Sequence, residues 1–285
     1  MMEFTREGLL DLTKELVRIR SVSHTPGENE AAAFIFSLLG REPYFQEHPE
    51  FLQLIPVEKG GLERKAVMAF VPSARQTSRT VLLNGHFDVV DTDVCGDLAD
   101  LAFDADAYTS VIGTRDIPEE AREDLESGNW LFGRGVMDMK AGIALHMAYL
   151  AHMARRRDEL GVNLLFLAVP DEEGSSVGMR GSLSAMCAFL RERNLELVAA
   201  LSGEPSFWTS KTTKESSPAV SFSQARPARS CRFSSAWGVR PMWDIPSTAS
   251  MLPPLPQGWY VLWTAAPILW TAPARTRLRL RYALP

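Results

Sequence analysis

Three apolar runs in this chain each end in a short motif that carries a histidine or carboxylates. Each run with its motif spans residues 81–88, 162–174 and 197–205. Short apolar runs bounded by glycine or proline predict buried strands, and strands that alternate with helices predict a layered α/β fold. The carboxyl ends of successive strands share one edge of such a sheet. We therefore expect the polar motifs to converge at that edge.

The remaining elements are predicted from the spacing of apolar residues and from breakers. Thr5 is suited to cap the first helix. The predicted helices cover residues 5–20, 28–39, 140–155 and 179–193, and further strands cover 51–57 and 66–71. Residues 91–129 contain many acids and no clear period, so we interpret them as a long excursion between elements.

The composition changes abruptly after Phe207. Residues 208–285 hold ten Lys or Arg and two acids, although the whole chain of 285 residues has a net charge of −5. They also hold six of the seven Trp, and their apolar residues follow neither helix nor strand spacing. We therefore predict two parts: residues 1–207, the N-terminal part of a catalytic domain, and residues 208–285, a disordered tail of non-native sequence.

Two origins for this tail remain open. One is a basic disordered tail, although such tails are poor in aromatic residues. The other is a shifted reading frame. Met and Trp each have a single codon, so reading Met242-Trp243-Asp244 from the third base onward forces Val-Gly. The displaced frame permits apolar runs and glycine turns of the kind that strands and hairpins use, and we favour this hypothesis.

Location and partner classes follow from composition. The N-terminal segment is charged and amphipathic rather than a secretory signal, and no run approaches the roughly 18 apolar residues of a membrane span. Cys95, Cys187 and Cys231 form neither a disulfide framework nor a zinc-ribbon spacing. These features predict a cytoplasmic protein. The acidic first part argues against a nucleic-acid surface, and we expect no membrane partner.

The motifs suggest metal chemistry, with a plainer alternative for each. His86 and Asp88 share one side of a strand, so the carboxylate can orient an imidazole that binds metal; alternatively they form a polar turn. Asp138 precedes a predicted helix and can simply be its cap. Glu172 and Glu173 repel each other unless a cation lies between them, or they belong to a solvated acidic loop. Taken together in this order, the motifs favour a metal site.

The set resembles the family of di-zinc aminoacylases, carboxypeptidase G, acetylornithine deacetylases and succinyl-diaminopimelate desuccinylases. The matching motifs are Gly-His-Phe-Asp (85–88), Gly-Arg-Gly-Val-Met-Asp-Met-Lys (133–140), Asp-Glu-Glu-Gly (171–174) and Gly-Glu-Pro (203–205). Residues 91–135 resemble the arginine-utilisation branch of that family. The resemblance covers residues 5–207 and implies the catalytic domain of a zinc peptidase, with a mixed sheet between two helical layers.

The resemblance also implies the role of each site residue. His86, Asp138, Glu173 and Glu204 would bind two divalent ions, Zn²⁺ first and Co²⁺ or Mn²⁺ as alternatives. Asp138 would bridge both ions and form a cis peptide with Met139. The resemblance implies that Glu172 is the general base and that Asp88 supports His86. The implied reaction is hydrolysis of an amide or peptide bond in a small, amino-acid-like substrate.

The chain departs from the family pattern in its second part. The family's fifth metal ligand is a distal His, and here no His follows His152. His146 and His152 lie on a predicted helix and are expected to be packing or surface residues. The domain through which intact relatives form homodimers would follow Glu204. We therefore expect an inactive hydrolase. The alternatives are a truncated, non-enzymatic product that binds metal weakly and an interaction module with a basic tail.

Overall fold

The computed structural model describes residues 1–59 and 62–205, together with the backbone of residues 222–223 and 261–263. Seven α-helices lie in the described part: α1 Arg6–Arg18, α2 Gly27–Gly40, α3 Pro43–Glu47, α4 Ala105–Ile112, α5 Glu119–Glu126, α6 Ala141–Ala154 and α7 Val177–Glu192. The described strands are β1 Leu52–Lys59, β2 Leu62–Val71, β3 Arg79–His86, β4 Asn163–Val169, β5 Glu196–Ser202, β6 Phe222–Ser223 and β7 Val261–Trp263.

The strands form one mixed sheet in the order β1-β2-β4-β3-β5-β7-β6. β1 and β2 form an antiparallel pair, and β2 is antiparallel to β4. β3 lies between β4 and β5 and is parallel to both. Every residue of β4 is buried, as expected for a strand that helices cover on both faces. The predicted mixed-sheet α/β class is confirmed.

Helices cover the two faces of this sheet. One apolar cluster joins α1, α2 and α6 to the sheet and includes Leu16, Ile35 and Met147. A second cluster joins α7 to the other face, where Met186 and Phe189 pack. The sheet therefore lies between two helical layers, and the ends of β3, β4 and β5 are held by a core on both sides.

Most of the predicted elements are present. Thr5 caps α1, and its hydroxyl accepts a hydrogen bond from the Gly8 amide at 3.1 Å. The apolar positions that predicted this helix, among them Leu12 and Leu16, are the ones that it buries. The strand bounds differ from the prediction by a few residues; β2 and β3 extend furthest, to Leu62–Val71 and Arg79–His86.

The long excursion predicted over residues 91–129 contains regular structure that the sequence pattern did not indicate. This segment contains a 3₁₀ segment, Asp93–Leu101, followed by α4 and α5. It has its own apolar cluster, in which Tyr108, Ile112 and Phe132 are buried. The many acids that obscured the helical period lie mostly on exposed positions around this small cluster.

The predicted disordered tail lies almost entirely outside the described residues. Its two described segments are β6 and β7, and β7 is parallel to β5 through Leu201↔Leu262 and Ser202↔Trp263. Among the described residues, no helix is long and apolar enough to cross a membrane.

Candidate metal centre

The parallel strands place their carboxyl ends side by side. In the register of β3 and β4, His86 pairs with Val169, and Asn84 pairs with Ser202 of β5. The motif at each strand end therefore begins at the same edge of the sheet, where open α/β sheets bind their ligands. The segment 136–140 approaches this edge from the start of α6.

His86 is the last residue of β3, and its side chain is 1 % exposed. Its Nδ1 lies 2.9 Å from the backbone carbonyl of Asp88. A carbonyl oxygen only accepts, so this contact places the ring proton on Nδ1 and leaves the Nε2 lone pair free to bind. Nε2 lies 3.1 Å from Asp138 Oδ1 and 3.5 Å from Glu204 Oε1.

The charges around His86 decide its protonation in the metal-free chain. Burial alone would lower the pKa of the imidazole, but contacts with Asp138, Asp88 and Glu204 raise this pKa well above its ordinary value. A proton on Nε2 therefore occupies the position that a divalent cation would take. The same carboxylates that favour the proton would favour a metal ion.

The Asp88 carboxylate lies beside the His86 ring and also contacts the turn after β4. It lies 3.5 Å from His86 Nδ1, and its oxygens accept hydrogen bonds from the backbone amides of Glu172 and Glu173 at 3.0 and 3.2 Å. The Ser23 hydroxyl donates to it at 2.7 Å. Burial would raise the pKa of Asp88, but the contacts with His86 and these donors lower it. The carboxylate thus joins the end of β3 to the turn after β4.

Asp138 lies in an irregular turn ahead of α6, and its peptide bond to Met139 is cis, as the family resemblance implied. The Met139 side chain fills a slot between two glycines. A Cβ at Gly85 would lie 2.3 Å from the Met139 Cε, and one at Gly203 would lie 2.9 Å from it. The Met139 sulfur accepts a hydrogen bond from the His86 amide at 3.2 Å. Met139 therefore packs between the segments that carry His86, Asp138 and Glu204.

Glu172 and Glu173 follow β4 through Pro170 and Asp171. Burial raises the pKa of Glu173 to about 7, with the Asp138 charge as the next cause. Burial and the neighbouring carboxylates raise the pKa of Glu172 as well. The Glu172 side chain is 47 % exposed, and its Oε2 lies 3.9 Å from His86 Nε2. Glu172 is therefore open to solvent beside the imidazole, while Glu173 belongs to a crowded carboxylate group.

These residues fit a divalent cation. His86, Asp138 and Glu173 offer one ligand atom each, and the three atoms lie within 4.8 Å of one another. Glu204 adds a carboxylate beside His86. One imidazole and several carboxylates form a donor set that suits Zn²⁺ and similar ions. The structure brings together all the residues that the sequence suggested, while their individual roles remain predictions.

The supporting roles of two residues were not predicted from the sequence. Ser23 holds Asp88, and the fully buried Lys140 donates from Nζ to the carbonyls of Leu16 and Ile19 at 3.0 and 2.7 Å. Lys140 thus caps the C-terminus of α1 next to the Asp138 turn. Burial lowers the pKa of Lys140 to about 7. Ser23 lies outside the motifs quoted above, and the motif that ends in Lys140 does not reveal its partners, because each contact joins segments far apart in the chain.

The two histidines of α6 take no part in the centre as described. His146 is buried, and the His152 ring packs against Phe4 with 5.4 Å between ring centroids. They are packing residues, as expected from their place on the helix.

In a comparison with known proteins, residues 82–249 match the model of the family described as peptidase family M20/M25/M40. The match includes the ends of β3, β4 and β5 and the Asp138 turn. The chain belongs to peptidase family M20/M25/M40. This M20 match also continues past Phe207, into the segment that the composition sets apart. The M20 peptidases are metallopeptidases, and the donor set above is consistent with that chemistry.

Curated relatives within the M20 group are considerably longer than this chain. Protein RocB of Bacillus subtilis (strain 168) is 35 % identical over 190 residues, which are 67 % of this chain and 34 % of RocB. A succinyl-diaminopimelate desuccinylase of Methylorubrum extorquens is 30 % identical over 169 residues, 59 % of this chain and 36 % of that enzyme. The chain spans about a third of the length of these relatives.

Among solved structures, the M20 fold is shared with human carnosine dipeptidase 1. The TM-score is 0.51 at 18 % identity, over 76 % of this chain and 41 % of the dipeptidase chain. At this identity the likeness concerns the fold alone.

Proposed function

We propose that the site hydrolyses an amide or peptide bond in a small, amino-acid-like substrate with the help of two divalent ions, Zn²⁺ first among them and Co²⁺ or Mn²⁺ as alternatives. The observation that carries this proposal is the group of His86, Asp138 and Glu173, whose ligand atoms lie within 4.8 Å of one another. Membership of the M20 peptidases supports the reaction class.

In this proposal His86, Asp138, Glu173 and Glu204 hold the ions. Bound divalent ions would act as Lewis acids on the amide carbonyl and lower the pKa of water. Glu172 takes the proton from the attacking water and later returns it to the leaving amine. Its position beside His86 and its raised pKa suit this role, because a base works best when its pKa approaches the working pH.

Asp88 acts through its neighbours in this scheme. Its backbone carbonyl fixes the proton on His86 Nδ1, and its carboxylate holds the amides of Glu172 and Glu173. One residue thereby sets the orientation of a metal ligand and of the base. Contacts of this kind behind metal ligands typically contribute about 10–100-fold to metal affinity or activity.

The substrate class is proposed from two likenesses. Residues 91–135 resemble the arginine-utilisation branch, and one relative is named a succinyl-diaminopimelate desuccinylase. Removal of a succinyl group from a diamino acid breaks an amide bond. We therefore favour an amino-acid derivative with an amide or peptide bond as the substrate.

We also propose that residues 1–207 form the N-terminal part of the catalytic domain and that residues 208–285 are read in a shifted frame. The break in charge and in Trp content supports this boundary. The M20 match, which continues to residue 249, counts against placing the boundary at Phe207. No His follows His152 in this sequence, and without a distal His ligand we expect the chain to be close to inactive. The alternative is a non-enzymatic product that binds metal weakly.

The coding DNA around Phe207 and an activity assay test these proposals together. The assay compares the present chain with a restored chain, which is read in the displaced frame after Phe207. Both chains are loaded with Zn²⁺ and assayed on N-acyl amino acids and dipeptides. We expect hydrolysis by the restored chain and almost none by the present chain. Strong hydrolysis by the present chain would contradict the frameshift. No hydrolysis by either, despite bound zinc, would contradict the proposed reaction.

A further inference from the structure

Four ionisable side chains adjoin the turn that carries Glu172 and Glu173, and none of them has a role in the chemistry above. They are His24 in the loop before α2, Glu28 of α2, Arg64 of β2 and Asp171 after β4. The side chains of Glu28 and Asp171 are fully buried, and that of Arg64 is 3 % exposed. Burying a charge is costly unless an opposite charge compensates, so this group is held together by its internal contacts.

Arg64 joins the two buried carboxylates. Its Nε donates to Glu28 Oε2 at 2.9 Å, and its terminal nitrogen lies 3.8 Å from Asp171 Oδ1. The His24 amide also donates to Glu28 Oε2, at 2.9 Å. His24 Nε2 lies 2.7 Å from Asp171 Oδ1, without hydrogen-bond geometry. The contacts to Asp171 Oδ1 are therefore electrostatic, and they tie the loop before α2 to the turn after β4.

Asp171 has an unusual backbone for a residue with a side chain. Its φ is +59°, in the left-handed region that non-glycine residues rarely occupy. Its Oδ2 accepts a hydrogen bond from the amide of Val177, the first residue of α7, at 3.0 Å. The backbone amides of Glu172 and Glu173, which follow Asp171, donate to the Asp88 carboxylate. The turn is therefore held by the Asp171 side chain on one side and by Asp88 on the other.

We infer that Asp171, beside Arg64, which Glu28 holds in turn, is a positioning residue that sets the direction in which Glu172 and Glu173 leave the backbone. This inference rests on the proposed function, because it matters only if Glu173 binds metal and Glu172 faces the reacting water. Replacing the Asp171 carboxylate with a neutral side chain would remove its attraction to Arg64 and loosen the turn, and Glu173 would move away from Asp138 and His86.

A purely structural role for this cluster predicts a different result from a positioning role. A structural ion pair would lower the free energy of unfolding and leave the metal site unchanged. The chain offers a matched control in Glu42, whose buried carboxylate accepts from Arg155 at 2.7 Å. Arg155 follows the last residue of α6, and Asp138 lies ahead of its first, so the two are separated by about 20 Å of helix.

The experiment titrates the full chain with Co²⁺ and records the visible absorption band and the affinity. The variants are Asp171→Asn, His24→Ala, Glu173→Gln and the control Glu42→Gln, each with a chemical denaturation curve. We expect Asp171→Asn to weaken Co²⁺ binding by about 10–100-fold and to change the band. His24→Ala, a replacement at a side chain that is 59 % exposed, should weaken binding by a smaller factor. Glu42→Gln should lower stability without changing the spectrum.

Each outcome decides the matter. If Asp171→Asn binds Co²⁺ like the wild type while Glu173→Gln does not, the positioning role is wrong and the metal site stands. If Asp171→Asn fails to fold, His24→Ala decides, and unchanged affinity and spectrum in that variant overturn the inference. If the wild type and Glu173→Gln bind Co²⁺ equally, or neither binds it, the proposed function fails and the inference fails with it.

Discussion

His86 Nε2 lies 3.1 Å from Asp138 Oδ1, although 52 residues separate the two in the chain. His86 is the last residue of β3, and Asp138 lies in an irregular turn ahead of α6. Their contact, with Glu173 beside it, turns separate motifs into one group of metal ligands.

Glu173 should lower the stability of the metal-free protein as the pH rises. Burial and the Asp138 charge raise the pKa of Glu173 from its ordinary 4.5 to about 7. Between these values the folded chain holds a proton at Glu173 that the unfolded chain has released, so the contribution of this residue to the free energy of unfolding falls as the pH rises. Denaturation curves with a chelator from pH 5 to pH 8 should show this as a fall in the stability of the wild type relative to Glu173→Gln.

Saturating Zn²⁺ should reduce the same fall, because a cation replaces the proton among the carboxylates. Identical pH dependence in the wild type and Glu173→Gln, with or without Zn²⁺, would show that Glu173 is not part of a crowded site.

Replacing Glu172 should separate catalysis from metal binding. In the chain read in the displaced frame after Phe207, Glu172→Gln should reduce turnover by about 10²–10⁴-fold, because an amide cannot accept the proton of water. Zinc affinity should stay close to that of the parent, since Glu172 is not among the proposed ligands. Glu173→Gln is the comparison and should lose both. Unchanged turnover in Glu172→Gln would remove Glu172 from the role of base.

No side chain should be tolerated at Gly142, because its backbone lies close to that of Gly203. A Cβ at Gly142 would lie 2.3 Å from the Gly203 carbonyl oxygen, which is backbone and cannot swing aside. Gly142→Ala should therefore cost about 1–3 kcal/mol of unfolding free energy, against the usual gain from alanine within a helix. It should also weaken zinc binding, because Gly203 precedes Glu204.

The control for that substitution is Gly161→Ala, since nothing lies within 4 Å of a Cβ built there. Denaturation curves should place this variant near the wild type. Equal stability for Gly142→Ala and Gly161→Ala would mean that there is room for a side chain between Gly142 and Gly203.

His146 should make the protein sensitive to acid. Burial lowers the pKa of His146 to about 4, from an ordinary value of 6.5. As the pH falls below 6.5, the unfolded chain takes up a proton that the folded chain does not, so stability is lost. From pH 7 to pH 5, His146→Leu should gain up to about 2 kcal/mol relative to the wild type. His152→Leu on the same helix, at a less buried position, should gain less. A constant difference between His146→Leu and wild type at all pH values would contradict this account.

The sequence predicted those parts of the fold whose signal is local. The Thr5 cap, the apolar period of α1 and the uninterrupted run of β4 each depend on residues a few positions apart. The family motifs led directly to His86, Asp138, Glu172, Glu173 and Glu204. The helices within residues 91–129 were missed because α4 and α5 are short and bury few apolar residues, most of them in a small cluster around Phe132.

The residues that support the site could not be predicted from the sequence, because their contacts join segments far apart in the chain. The Ser23 hydroxyl reaches Asp88 across 65 positions, and Lys140 reaches the end of α1 across more than 120. Asp88 was expected to support the His86 ring, and both its backbone carbonyl, at 2.9 Å, and its carboxylate, at 3.5 Å, lie beside Nδ1. Which of two oxygens meets a ring depends on backbone direction after the strand, and residue spacing does not specify it.

The central claim is that His86, Asp138, Glu173 and Glu204 form one metal centre that holds the divalent ions, and calorimetric titration of the full chain with Zn²⁺ tests it most directly. The wild type should bind zinc, and Glu173→Gln should bind it at least about tenfold more weakly, since loss of a ligand exceeds loss of an outer contact. Glu192→Gln, at a side chain that is 71 % exposed, should bind like the wild type. Zinc binding that is absent from the wild type, or equal in Glu173→Gln and Glu192→Gln, would contradict the account.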